Sequence, residues 1–155
     1  MALVLRRGGP QDARFLRDML RHALYWRDRV PGSLTSRYVR GWGRPEDTAV
    51  IALEGGFAVG AAWYRLFTAA EPGYGFVDEE TPELAIAVVP SRRGRGIGDA
   101  LLKELYKRAK EDGYKAVSLA AERDNAALVS YYEQKHGFER VHEDGGDSVT
   151  MRRAL

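Results

Sequence analysis

The 155-residue chain contains no cysteine. That absence excludes a disulfide framework, a thiolate zinc site and a cysteine nucleophile together, so any group transfer must proceed without an enzyme thiol. Long apolar runs are also missing. The longest, residues 84–89, is far short of the roughly 18 to 20 residues that span a bilayer, and the apolar start at 2–5 meets Arg6-Arg7 too early for a secretory signal. A cytoplasmic protein without a membrane partner is expected. Nor is one sign of charge in excess: 24 Lys+Arg stand against 22 Asp+Glu, for a net +2, where a nucleic-acid binder normally shows a clear basic surplus. No nucleic-acid partner is expected. The three histidines, His22, His136 and His142, lack metal-ligand spacing, and no metal site is expected. With no internal repeat or linker, one domain over residues 1–155 follows.

What is present is a succession of short elements. Residues 2–6 read as a strand, and Pro10 opens a helix whose apolar residues Phe15, Leu16, Met19, Leu20, Ala23 and Leu24 recur at helical spacing. A second helix is expected over 33–40 with Ser33 as its cap. Residues 48–53 and 57–67 form an antiparallel pair around Gly55-Gly56, whose positive φ angles suit a tight hairpin. The continuously apolar run 84–89 has the pattern of a strand covered on both faces. After Pro90, Ile97, Leu101, Leu105 and Ala109 mark a helix ending near Gly113. A strand at 115–121, a helix at 125–135 and a closing hairpin, 138–142 with 148–152 around Gly145-Gly146, complete the chain. This order argues for one mostly antiparallel sheet with a parallel pair at its middle, joined by the crossover helix from Ile97.

Between the central strand and that helix lies Arg92-Arg93-Gly94-Arg95-Gly96-Ile97-Gly98-Asp99. Main-chain N–H groups at a helix start have no intrahelical acceptor and carry the positive end of the helix dipole, and glycines let an anion approach them closely. The segment is built as a phosphate cradle, with guanidinium groups nearby to add charge-assisted contacts. It lacks the lysine and hydroxyl of a Walker loop. Its third glycine falls one position early for a dinucleotide fingerprint.

The pattern Arg93-x-x-Gly96-x-Gly98, directly after an apolar strand and opening a helix, resembles the pyrophosphate motif of the GCN5-related N-acetyltransferases, the GNAT superfamily. Asn125, Tyr131-Tyr132-Glu133 and Gly137-Phe138 are similar to that family's second signature. The resemblance implies an α+β (mixed α/β) fold: a six- to seven-stranded, mostly antiparallel central sheet with a splayed parallel pair, flanked by about four helices. It also implies an acetyl-CoA-dependent N-acetyltransferase acting on a small-molecule or peptide amine, and it allows a homodimer. Val88 and Val89 would bond the pantetheine arm of coenzyme A through their main chain. The amides of Arg93, Gly94, Arg95, Gly96, Ile97, Gly98 and Asp99 would take the pyrophosphate. Asn125 would face the cofactor arm or cap its helix. Tyr132, which keeps the Tyr-Glu pair, is the expected general acid. One extra residue before Gly137 keeps Tyr131 as the second candidate. Glu83, at the entry of the central strand, is the first candidate for the base and Glu122 the second; absent a cysteine, direct attack of the amine is favoured over a covalent enzyme intermediate. A noncatalytic acyl-CoA sensor on the same fold is the alternative.

The acceptor is expected between the first two helices and the loop before the central strand; of the aromatics there, Trp26, Tyr38, Trp42, Trp63, Tyr74 and Phe76, some are expected in the core and the remainder as pocket walls for an apolar or cationic amine. Charge is unevenly divided: residues 1–46 carry ten basic and four acidic groups, 47–91 one and seven, and 92–155 thirteen and eleven. An anionic cofactor and a cationic acceptor suit that division.

Overall fold

Alternation along the central strands distributes side chains to two cores, one on each face of a single sheet. In β2 (Thr48–Glu54) Val50 and Ala52 face one way while Ala49 and Ile51 face the other, and β3 (Phe57–Arg65) and β4 (Glu83–Val88) follow the same rule. The computed structural model describes residues 2–27, 34–142 and 146–155. Its seven strands run in the order β1-β2-β3-β4-β5-β7-β6, with β1 at Leu3–Arg7, β5 at Ala116–Glu122, β6 at Glu139–His142 and β7 at Ser148–Ala154. Every neighbouring pair is antiparallel except β4 and β5.

That parallel pair meets at one register position, Glu83 opposite Ser118. Beyond it the strands diverge, so the sheet carries a splay at its centre. Helix α1 (Ala13–Ala23) covers one face and buries Leu16, Met19, Leu20 and, just past its end, Leu24. Each such side chain contributes about 1.5 to 3 kcal/mol of burial. Helices α2 (Ile97–Glu111) and α3 (Ala126–His136) cover the other face through Ile97, Leu101, Leu105, Val129 and Tyr132. Gly137, at φ 67°, ends α3 in the left-handed conformation that glycine adopts without strain.

About four helices were expected. The described residues hold three α-helices and three 3-10 turns, Pro10–Asp12, Leu34–Tyr38 and Pro90–Arg92. The second expected helix is the turn Leu34–Tyr38, and its expected cap Ser33 lies outside the described residues, as does Gly145 of the last hairpin. The shortening has a physical cause. Thr35 and Tyr38 are both buried, three residues apart, which is the repeat of a 3-10 turn. The carbonyls of Arg37 and Arg40 accept from Arg65 Nη1 at 2.9 and 2.8 Å. Arg65 itself is paired with Asp47 at 2.6 Å, the two side chains 1% and 3% exposed.

Candidate active site

The splay opens two cavities. The larger is a cleft of about 530 Å³ at the start of α2, lined by Val88, Arg92, Arg93, Gly94, Gly96, Ile97, Gly98, Asp99, Leu128, Tyr131 and Lys135. Gly94 and Gly96 lie at φ +79° and +82°, and a Cβ on either would meet nothing of the protein within 4 Å. The left-handed backbone is therefore what requires glycine here, and the space beside it is left for a ligand. Ala100 N–H makes the first intrahelical bond, to Gly96 O at 3.1 Å. The amides of Ile97, Gly98 and Asp99 precede it and have no intrahelical acceptor; with no side chain capping the helix, they form the positive end of a 15-residue dipole. A diphosphate fits this donor set.

The arginines divide. Arg92 lines the cleft and bonds Glu54 at 3.1 Å, and Arg93 Nε donates to Val88 O at 3.1 Å. Arg95 is exposed and is not part of the lining. The Asp99 carboxylate, an anion in an anion-binding cleft, is held by Tyr131 Oη, by His136 Nε2 at 2.9 Å and by Lys135 Nζ at 3.3 Å. These donors, Tyr131 first, keep it far below the usual carboxylate range. His136 is buried beneath it and contacts Tyr106 Oη through Nδ1 at 3.1 Å.

Main-chain pairing corrects one expectation. Val89 N–H donates to Val59 O at 2.8 Å, so that amide is already engaged in the sheet and is not free for the pantetheine arm. By the alternation of antiparallel bonding, the groups of β4 that face away from β3 belong to Ile86 and Val88. No β5 residue lies in register with either. Ile86 was not singled out by the sequence reading; only the β3–β4 register reveals it. The Val88 carbonyl takes the Arg93 guanidinium, while its N–H and both groups of Ile86 face the splay.

The smaller cavity, about 30 Å³, lies between the diverging strands and is lined by Glu83 and Tyr132 with Trp26, Tyr38, Leu128 and others. Glu83 is 2% exposed. Its Oε2 accepts from Tyr38 Oη and from Gly75 N–H at 3.0 Å, while Oε1 has no partner. Burial pushes the carboxyl up to about 7, against the lowering effect of its two donors. The loop at 72–76 is fitted against it. A Cβ on Gly73 would fall on Glu83 Oε1, and one on Gly75 would strike the Leu119 main chain at 2.5 Å. Tyr132 Oη has no hydrogen-bond partner among the described residues, and burial alone raises its phenol to about 12. The two tyrosines are thus separated: Tyr131 bonds Asp99 in the large cleft, and Tyr132 meets Glu83 at the small cavity.

Of the remaining expected residues, Glu122 accepts from Tyr25 Oη at 2.6 Å at the end of β5. Asn125 is the N-cap of α3, its side chain accepting from Leu128 N–H at 3.1 Å. Trp63 is 1% exposed and donates to Tyr38 O, which makes it core and not a pocket wall. Tyr38 is buried as well, as the partner of Glu83. Trp42 lies against Arg65, with the guanidinium 5.3 Å from its ring centroid. Trp26 and Tyr74 face each other at 6.3 Å and already carry Arg27 on their rings, at 4.8 and 4.1 Å. Phe76 is half-buried against the α1 core.

This geometry, a splayed strand beside a glycine cradle at a helix start, is that of an acyl-CoA-dependent transferase. The chain belongs to the acetyltransferase (GNAT) family, whose model matches residues 14–138. It is an acetyl-CoA-dependent N-acetyltransferase acting on amine acceptors. Among solved structures it is similar to a ribosomal-protein-alanine N-acetyltransferase from Brucella melitensis, at 26% identity over 98% of this chain and 99% of that one, with a TM-score of 0.72. It shares its fold with yncA of Salmonella typhimurium, solved with acetyl-CoA (21% identity, 100% and 95% covered, TM-score 0.72), and with paia N-acetyltransferase of Thermoplasma acidophilum, solved with coenzyme A (20%, 100% and 100%, 0.69). No curated protein sequence matches it. No helix among the described residues is long and apolar enough to cross a membrane.

Proposed function

We propose that the protein acetylates a primary amine of a small molecule by direct attack in a ternary complex, with Glu83 as the base and Tyr132 as the acid. The observation that carries this reading is the unpartnered Oε1 of buried Glu83, at a cavity shared with Tyr132. When bound, acetyl-CoA supplies a thioester whose acyl carbon the amine attacks. The amides of Ile97, Gly98 and Asp99 would hold its diphosphate, and Ile86 and Val88 its pantetheine arm.

A primary amine with a pKa near 10.4 is neutral to only about 0.04% at pH 7. A carboxyl whose pKa lies at about 7 is partly ionised at neutrality and, once ionised, binds the released proton. Its place on the cavity that Tyr132 also lines supports Glu83 over Glu122, which is not in that lining. The Tyr132 phenol, raised to about 12 and without a hydrogen-bond partner among the described residues, keeps its proton for the departing thiolate. Tyr131 donates its proton toward Asp99 instead.

The acidic middle third of the chain favours a cationic acceptor, and the size of the inner cavity favours a slender amine over a bulky one. A peptide N-terminus is the second reading, supported by the name of the 26% identical Brucella protein. A thiol-release assay with acetyl-CoA separates the two: polyamines, amino acids and aminoglycosides against alanine-initiated peptides. Turnover of a small amine at a higher kcat/KM than any peptide is expected; the reverse order selects the peptide reading. Intact-mass analysis after incubation with acetyl-CoA alone should show unmodified enzyme, and an acetylated enzyme would overturn direct attack.

A further inference from the structure

Away from both cavities, a third of about 320 Å³ is lined by Arg37, Arg40, Arg44, Phe67, Thr68 and Glu71 with two other residues. Three arginines from one short stretch converge there because a single buried ion pair holds their backbones. Arg65 Nη1 takes the carbonyls of Arg37 and Arg40, and Asp47 Oδ2 accepts from Arg44 N–H at 2.9 Å and Gly43 N–H at 3.0 Å. Asp47 in turn pairs with Arg65, so the whole arc is anchored to the core. Glu71 is the only carboxylate in the lining. Its Oε2 lies 3.1 Å from Arg40 Nη2 and 3.8 Å from Arg37 Nε, and the side chain is 62% exposed. Pairs so exposed are weakly held and readily exchanged. The Arg44 side chain makes no hydrogen bond or ion pair among the described residues. Three guanidinium groups against one carboxylate leave two positive charges uncompensated around a concave surface.

We propose that this cavity is a second anion site, taking a multiply charged oxyanion, a phosphate or polycarboxylate group, independently of the coenzyme A cleft. Glu71 shows how a carboxylate is received between Arg37 and Arg40, and Arg44 supplies the third fork for a ligand with more oxygens than one carboxylate offers. The floor connects to the catalytic side. Phe67 packs edge-on against Tyr38 at 5.2 Å, and Tyr38, next in sequence to Arg37, donates to Glu83.

The test is calorimetric titration of the full chain with inorganic phosphate and, separately, citrate, each in the presence of saturating coenzyme A so that the glycine cradle is filled. Binding of at least one of them, weakened fivefold or more in Arg44→Gln, is expected, with the coenzyme A Kd of that variant unchanged. The exposed Arg40→Gln should weaken it likewise. Phosphate favoured over citrate identifies a phosphate-bearing ligand, and the opposite order a polycarboxylate; either supports the site. No binding of either anion with coenzyme A present, or equal binding by wild type and both variants, overturns it.

Discussion

On the cofactor side of the splay the proposed working groups are main-chain groups: the amides of Ile97, Gly98 and Asp99 for the diphosphate, and Ile86 and Val88 for the pantetheine arm. On the acceptor side they are three side chains and one amide from four separated segments: Tyr38, the Gly75 N–H, Glu83 and Tyr132. The first arrangement recognises an anion with dipoles that do not themselves ionise. The second depends on a carboxyl poised near neutrality and on a loop with no room for a single added carbon. One side binds and the other is where protons move.

The comparison breaks most sharply at Glu83. Glu83→Gln keeps the volume and leaves an oxygen to accept from Tyr38 and Gly75, but it cannot take a proton. Loss of a positioned general base lowers kcat by about 100- to 10,000-fold, with the Kd for coenzyme A unchanged. The pH dependence supplies the sign. Burial favours the neutral acid, so Glu83 is a carboxylate only above about pH 7, and kcat/KM of the wild type should rise as pH passes through about 7. That limb should be missing from the residual activity of the variant; its persistence would move the base elsewhere.

Gly96→Val attacks the other side. The valine would adopt a φ of +82°, a strained conformation that costs about 1 to 3 kcal/mol, and its side chain would project into the cleft. The coenzyme A Kd should rise by about 100-fold, which equilibrium titration measures. An unchanged affinity would remove the cradle from the binding site.

Tyr132→Phe should have a smaller effect, about 10- to 100-fold on kcat. A thiolate with a pKa near 8.5 is already a fair leaving group, so its protonation is worth less than creation of the neutral amine. Transfer rates from an acyl-CoA analogue with a more acidic thiol should be less sensitive to the change.

The same contrast decides what could be read from the sequence. The glycine cradle is local: residues 93–99 carry the turn, the helix start and the dipole within one stretch, and α2 begins at Ile97 with Gly96 before it. The order of elements along the chain and the parallel pair followed from the succession of periodicities, whereas the strand order within the sheet came from the structure. Glu83 was named through the family resemblance, but its setting depends on Tyr38, 45 residues earlier, and on a loop at 72–76 that carries no sequence motif. Val89 and Ile86 differ by which edge of β4 their amides face, a parity set by the register with β3. Trp63 carries the same aromatic signal as Trp26, yet it lies in the core beneath Tyr38, because composition does not report which face of a strand is covered. The Arg65–Asp47 pair that stops the second helix joins two residues with no local motif between them.

The smallest expected effect sharpens the comparison most, because Tyr131 and Tyr132 are neighbours on one helix. Tyr131 Oη lies against Asp99 and 3.0 Å from His136 Nε2, so its hydroxyl belongs to the scaffold of the cofactor cleft. Tyr131→Phe removes one donor from a carboxylate that keeps His136 and Lys135, a hydrogen bond to a charged group that is partly exposed and so worth about 1 kcal/mol. The loss should appear as a Tm lower by a few degrees and a KM for acetyl-CoA raised less than about fivefold, with kcat unchanged. Urea or thermal unfolding together with steady-state kinetics on both phenylalanine variants reads the pattern. If Tyr131→Phe lost kcat while Tyr132→Phe kept it, the acid would sit in the cofactor cleft, and the division between a side that binds and a side that moves protons would fail.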